Sequence, residues 1–372
     1  MTYIYQKSGW PAFRWRSDAL AQPLAAVRHR QGRLIGRMEA LGFSLRAEAV
    51  LQTLTEDVMK SSEIEGEMLD RDQVRSSIAR RLGMDIGGLI AADRNIEGVV
   101  EMMLDATRNY AEPVTDERLY GWHAALFPTG RSGLIRITVG AWRTADAGPM
   151  RVVSGPIGRE RVHYEAPAAD ELDCEMAAFL AWFEGNAPLD PPLDPVLKAG
   201  LAHLWFVTIH PFDDGNGRIA RAIADLALAR SEGSAQRFYS LSSQIRAERN
   251  AYYTTLETTQ KGDLDVTLWL TWFLDCLNAA IDGAETILAN VLRKARFWDR
   301  HAATPINERQ RSIINRLLDG FVGKLTSSKW ARIAKCSQDT ALRDIDQLVR
   351  CSILAKDDGG GRSTSYSLVE VE

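Results

Sequence analysis

Apolar side chains recur at three- and four-residue spacing through most of this chain, the period of helices that bury one face. The spacing predicts helices over Ser44–Met59, Asp116–Leu126, Asp170–Phe183, Pro195–Ile209 and Leu264–Leu292, the last running on toward Arg300. Strict alternation is rare. Its best instance is Arg151–His163, RVVSGPIGRERVH, two short runs about a Gly-Pro-Ile-Gly turn, which predicts a hairpin. The most apolar long stretch, Val196–Ile209, contains Lys198 and His203 and is too short to span a bilayer, so no membrane segment is expected. The opening MTYIYQKSGWPAFRW lacks a charged start followed by an apolar run, so no secretion signal is expected either.

Pro-rich residues at Ala187–Pro195 and Gly-rich ones at Gly359–Gly361 punctuate the pattern, and HAATPIN follows the long helix that ends near Arg300. Beyond it come three helical runs, Ile306–Leu318, Ser327–Ala334 and Ser337–Val349. A predicted hairpin follows, Ile353–Lys356 and Ser365–Val369 around DDGGGRS. That order resembles a winged helix. From Thr304 onward there are eleven Lys/Arg and nine Asp/Glu, and the third helix carries Asp339, Asp344 and Asp346. Carboxylates facing phosphate weaken DNA binding, so DNA binding is disfavoured and a scaffold or protein-contact role is expected.

Composition changes this picture little. Of 372 residues, 45% are hydrophobic and 25% charged, ordinary for a soluble globular protein, and ten Trp supply packing points. The net charge of -4 gives no general electrostatic case for nucleic acid or membrane. Cys174, Cys276, Cys336 and Cys351 form no CxxC pair and have no His at ligand spacing. Neither a disulfide framework nor a zinc site is expected, and buried thiols point to a reducing, cytoplasmic compartment.

The chemistry concentrates in His210–Arg221, HPFDDGNGRIAR. The apolar run LAHLWFVTI delivers His210 to a helix end, and Pro211 cannot continue that helix. Asp213, Asp214, Gly215, Asn216 and Gly217 tolerate positive φ and predict a tight loop before a second helix, which begins near Arg218 and runs through Ala229. Such a loop turns successive backbone N–H groups into one concavity at the positive end of a helix dipole, an anion site. Arg218 and Arg221 lie three residues apart and share a helix face, so both guanidinium groups can converge on one phosphate. Asp214 adds a carboxylate where Mg²⁺ is commonly held with phosphate oxygens, and His210 suits proton removal near neutral pH. Taken singly, each residue has a plain structural reading as a cap, an Asx turn or a solvated charge.

Together they resemble the Fic signature, HPFx(D/N)GNGRxxR, with every specified position filled. WHAALFP, Trp122–Pro128, resembles the helix before the family's flap, and Arg151–His163 resembles the flap itself. The resemblance implies a mainly α fold: a Fic-type helical bundle with a small β-hairpin flap, plus a C-terminal winged-helix-like domain. The implied segments are 1–90, helical and carrying an inhibitory motif; 91–300, the Fic core; and 301–372, winged-helix-like. It implies that His210 is the general base, Phe212 anchors the loop, and Asp214 holds Mg²⁺. Gly215, Asn216 and Gly217 would form the phosphate nest, and Arg218 and Arg221 would hold the terminal phosphates of ATP. Tyr252 and Tyr253 resemble a pair bordering the nucleotide, with Gln260 where several relatives have Asn, and Gly155 lies in the flap.

A second motif precedes the loop. In SSEIEG, Ser61 and Glu65 are four apart and share a helix face, and Gly66 can end that helix in the left-handed conformation. By composition this is an ordinary helix end. It also matches the family's inhibitory pattern (S/T)xxxE(G/N), which implies that Glu65 pairs with Arg221 and takes the place of the ATP γ-phosphate. The resulting expectation is an autoinhibited protein adenylyltransferase. It would transfer AMP from ATP to a Ser, Thr or Tyr hydroxyl of a target protein docked along the flap, and to itself. Two alternatives stand beside it: a de-AMPylating hydrolase using the same site, and a nucleotide-responsive DNA-binding regulator. Self-association, shown by many relatives, is left open by the sequence.

Overall fold

The computed structural model describes residues 2–84, 86, 89–156, 159–185, 193–321, 323–357 and 364–369. Part of the expected flap turn, Ile157 and Gly158, lies outside the described residues, as do most of the Pro-rich stretch, 187–192, and the Gly-rich loop, 359–361. The chain forms two compact units. One comprises Met1–Arg81 with Ala91–Glu285, the other Leu82–Ile90 with Thr286–Glu372.

The first unit opens with helices α1 (Ser17–Glu39), α2 (Phe43–Ile64), α3 (Arg71–Arg81), α4 (Arg94–Arg108) and α5 (Asp116–Leu126). Two antiparallel hairpins follow: β1 (Arg131–Ser132) with β2 (Ile135–Arg136), and β3 (Arg151–Ser154) with β4 (Arg161–Glu165). Then come α6 (Leu172–Glu184), α7 (Pro195–Ile209), α8 (Asn216–Glu232), α9 (Leu241–Ala247) and α10 (Arg249–Gln260). A long α11 (Thr267–Arg300) contains the boundary between the units.

The axis of the first unit is α7. Its side chains from Leu201 to Ile209 are all buried, so it is covered on every side. Asp194 caps its start by accepting the Val196 N–H at 2.7 Å, and Pro195 occupies the first turn, where a missing N–H is harmless. Gly200 lets α11 approach closely. A Cβ there would fall 3.0 Å from Phe273, and the Gly200 carbonyl accepts the Trp269 indole N–H at 2.7 Å. Packed against α7, α8 is also largely buried. The carboxylate of Asp57 on α2 accepts from Ser240 and from the Ser242 N–H, tying α2 to the start of α9. No helix among the described residues is long and apolar enough to cross a membrane.

In the second unit, α12 (Glu308–Leu318), β5 (Leu325–Thr326), α13 (Ser327–Ile333) and α14 (Gln338–Arg350) precede β6 (Leu354–Lys356) and β7 (Ser365–Leu368). The strands form one antiparallel sheet in the order β5-β7-β6, which adds a strand to the hairpin expected from sequence. Ile313, Ile314, Leu318, Trp330, Ile345 and Leu348 fill its core. Asp344 departs from the expectation that the carboxylates of α14 face outward. It is buried and accepts from Asn307 Nδ2 at 3.1 Å and Arg309 Nε at 3.1 Å, so it anchors α12 to α14. Asp339 and Asp346 remain exposed. Asp344→Ala should destabilise this unit by about 0.5–1.5 kcal/mol, because Asn307 and Arg309 lose a fixed acceptor that water, reaching both exposed donors, replaces only in part. Thermal melting will show a lowered transition; an unchanged one would mean that water replaces the carboxylate.

Candidate active site

The loop between α7 and α8 begins with a non-glycine residue in the left-handed region, His210 at φ 53°, ψ 57°. That conformation costs about 1–3 kcal/mol and needs surrounding support. Arg143 provides it. This buried arginine donates from Nε to the His210 carbonyl at 2.9 Å, from its backbone N–H to the Pro211 carbonyl at 2.9 Å, and from Nη2 to the Pro167 carbonyl at 2.6 Å. The His210 ring places Nδ1 at 3.2 Å from the Val207 carbonyl. A carbonyl only accepts, so Nδ1 carries the proton and Nε2 keeps a lone pair. Burial pushes the imidazole down to about 4, which keeps it neutral at physiological pH.

Below His210 the loop is held by its own side chains. Phe212 is fully buried and stacks on His123 with ring centres 4.2 Å apart. Asn216 is also buried. Its Oδ1 accepts the Phe212 N–H at 3.0 Å and its Nδ2 donates to the Phe212 carbonyl at 2.8 Å, closing the loop on itself. The amide side chain of Asn216 is therefore committed to the loop, and only its backbone is available to an anion. Asp213 accepts the Thr138 N–H at 2.8 Å. Asp214 accepts the Gly215 N–H at 2.6 Å on one oxygen and the Ser132 hydroxyl on the other.

Gly215 sits at φ 81° and caps the start of α8. A Cβ there would lie 2.9 Å from the Phe127 ring, so both conformation and space require glycine. Gly215→Ala should lower stability by about 1–3 kcal/mol, read by denaturant titration. A loss below a few tenths would show that the loop relaxes around the methyl. The amides of Asn216, Gly217 and Arg218 come before the first hydrogen bond of α8, Ile219 N–H to the Gly215 carbonyl at 3.0 Å. They mark the positive end of that helix's dipole.

Arg218 and Arg221 extend from the first turns of α8, both buried. Each is met by a carboxylate from the segment after α2. Arg221 donates from Nη2 to Glu65 Oε1 at 2.8 Å and to the Ser61 carbonyl at 2.8 Å, and from Nε to the Ser61 hydroxyl at 3.0 Å. Arg218 donates from Nη1 to Glu67 Oε2 at 2.6 Å. Glu65 also presses on the loop, since a Cβ on Gly217 would collide with its Oε1. Gly66, at φ 89°, turns the chain between the two carboxylates. Burial works against the charge on Arg221, but the Glu65 carboxylate outweighs it and raises its pKa.

The structure thus brings His210, Asp214, Gly215, Asn216, Gly217, Arg218, Arg221, Ser61, Glu65 and Gly66 into one neighbourhood. Tyr252 and Tyr253 border that neighbourhood, within electrostatic reach of Arg221 and Glu65, while Gln260 and Gly155 have other surroundings. Tyr252 is buried with its hydroxyl 3.0 Å from His203 Nε2, and Gln260 is buried, donating to the Thr208 hydroxyl at 3.3 Å. Tyr253 is partly exposed beneath the Arg249 guanidinium. Gly155 ends β3 at φ 104°. The hairpin itself is fastened to α10 by Glu257, which accepts from His163 Nδ1 at 2.7 Å and pairs with Arg161 at 3.3 Å. Partial burial raises the Glu257 pKa, but hydrogen bonds from Lys261 and His163 prevail and hold it at about 2. Arg143, Ser132, Glu67 and Glu257 escaped sequence reading. Of these, only Glu67 carried a signal, a carboxylate two places beyond Glu65.

Among the described residues, no group of three or more His, Cys, Asp or Glu side chains could hold a metal. The Asp214 carboxylate, whose oxygens accept from the Gly215 N–H and the Ser132 hydroxyl, fits an ion that takes its remaining oxygens from phosphate and water.

Residues 113–228, from the approach to α5 through most of α8, match the Fic/DOC family. The chain carries a Fic domain. Residues 3–84 match a domain of unknown function, DUF4172. The chain is 32% identical over 120 residues to protein adenylyltransferase fic-1 of Caenorhabditis briggsae. It is 30% identical over 134 residues to protein adenylyltransferase Fic of Drosophila yakuba. Those matches cover 32% and 35% of this chain but only 21% and 25% of the relatives. A crystal structure of a Fic family protein from Desulfovibrio desulfuricans G20 superposes with a TM-score of 0.54 at 21% identity, covering 96% of this chain and 98% of that one. This likeness extends the shared fold well beyond the Fic domain.

Proposed function

We propose that this chain is a protein adenylyltransferase held in check by its own Glu65. The observation that carries this reading is the convergence of a neutral histidine, the start of α8 and two buried arginines on one loop. The chain's similarity to protein adenylyltransferases supports it. In this reading the loop amides and the α8 dipole receive the phosphates of ATP, with Arg218 and Arg221 on the terminal ones. His210 Nε2 takes the proton from a Ser, Thr or Tyr hydroxyl as that oxygen attacks the α-phosphorus. The bond from the α-phosphorus to its bridging oxygen breaks, and the departing charge meets the two arginines and the helix terminus. Asp214 would hold Mg²⁺, which supplies further neutralisation of phosphate charge.

The target chain is proposed to add as an extended strand beside β3 and β4, where Val153 and Val162 are exposed. Glu65 restrains the reaction by occupying Arg221, the partner that the terminal phosphate needs. Of the four free cysteines Cys276 is buried as expected, whereas Cys174 is exposed and Cys336 and Cys351 are half-buried; unpaired thiols that reach the surface fit a reducing, cytoplasmic setting. The test is mass spectrometry of the Glu65→Gly chain after incubation with Mg²⁺ and, separately, ATP, GTP, CTP and UTP. An AMP adduct formed from ATP and absent in a Glu65→Gly/His210→Ala chain is the expected result. Absence of any nucleotide adduct with all four donors would overturn the assignment.

A further inference from the structure

We infer that Glu67 is a specificity-determining residue of this site: by holding Arg218 it disfavours nucleotides bearing terminal phosphates, independently of Glu65. The inference rests on the proposed nucleotide site. It starts from geometry. The Glu67 N–H donates to the Ser62 carbonyl at 3.0 Å and the Gly66 N–H to the Glu63 carbonyl at 3.1 Å, so the chain reverses tightly at the end of α2. That reversal, with Gly66 left-handed, sends two alternate side chains to one face of α8. The arginines there are three residues apart, and each receives one carboxylate.

Arg218 does not depend on Glu67 for its position. Its side chain is buried, and its guanidinium carbon lies 5.1 Å from the centre of the Phe127 ring. Arg218 Nε and Arg221 Nη1 are buried with no hydrogen-bond partner, so both arginines retain an unspent donor. Removing Glu67 therefore leaves a preset cation rather than a collapsed one. With both carboxylates in place, the charge of the two arginines is neutralised. A triphosphate must displace Glu67 to reach Arg218. A monophosphate, which ends at the α position, has no need to. The penalty falls on phosphate number, not on the base.

The pair is half open to water, with the Glu67 side chain 52% exposed, so its effect is smaller than that of a fully buried pair. Glu67→Ala should tighten binding of α,β-methylene-ATP about 5-fold and leave AMP binding within about 1.5-fold, by isothermal titration calorimetry on the full chain. Glu67→Gln keeps the volume and should reproduce the effect, while Glu65→Gly/Glu67→Ala should gain more than either single change. Since Glu67 is exposed, folding is expected to persist, and a melting curve checks this. If Glu65→Gly tightens the analogue while both Glu67 variants match wild type, the inference fails and the nucleotide site stands. If Glu67→Ala tightens AMP and the analogue equally, discrimination by phosphate number is refuted. If no form binds either nucleotide, the inference falls together with the site itself.

Discussion

Replacing His210 with alanine will lower AMP transfer by about 10²- to 10⁴-fold while leaving ATP binding intact, the range that a positioned general base supplies. The separation follows from where the residue's two roles reside. Its backbone shapes the loop, held by Arg143 at the His210 and Pro211 carbonyls, and alanine retains those carbonyls. Its ring supplies only the lone pair on Nε2, since Nδ1 is committed to the Val207 carbonyl. The pH profile sharpens the test. Burial depresses the imidazole to about 4, so the ring is protonated below that value and free to act above it. Transfer should therefore rise from pH 4 toward 6 and then level. Measured rates that persist in His210→Ala would remove His210 from this role; an acid limb centred near 7 would show instead that burial leaves its imidazole near the ordinary value.

Glu65→Gly will raise self-modification, by about 5- to 30-fold in initial rate. A charge-assisted hydrogen bond contributes about 1.5–3 kcal/mol, and the 30% exposure of the Glu65 side chain argues for the lower part of that range. The residue acts twice. It occupies Arg221 Nη2 and fills the space above Gly217, where a phosphate would approach the start of α8. A triphosphate pushed aside there would present its α-phosphorus out of line, which reduces rate more than affinity. Counting AMP adducts by mass spectrometry over time decides the matter. An unchanged or lower rate would sink the inhibitory role. If the variant instead loses an ability to release AMP from a modified protein, the hydrolase reading gains.

The parts legible in sequence were those fixed locally. The bounds of α7 follow from Asp194 and Pro195 at one end and Pro211 beyond the other. Those of α5 follow from Thr115, which caps the helix by accepting the Arg118 N–H. The loop from His210 to Arg221 reads directly because its own residues, Phe212, Gly215 and Asn216, close it. Elsewhere local signals mislead. Apolar spacing picks out no individual helix over 17–39, where Pro23 sits inside α1, and only the family resemblance implied that 1–90 is helical. Helix α8 starts at Asn216 rather than near Arg218, because Gly215 in the left-handed region serves as its cap. Arg143 shows no periodic signal at all, since its partners lie 24 and 67 residues away in the chain. Asp344 looked like a surface acid because the α12 residues that bury it are supplied by tertiary packing.

Arg221 has a further consequence through Ser61. Two of its three hydrogen bonds go to that serine and do not involve the Glu65 side chain, so none of them has to break when Glu65 swings away. Glu65 thus behaves as a tethered competitor for a receptor that is already assembled, so opening the site requires a side-chain rotation and no refolding. A tethered competitor has a finite effective concentration. Sufficient nucleotide will outrun it, and the resting chain should leak: a low, nucleotide-dependent background of self-labelling that never reaches zero.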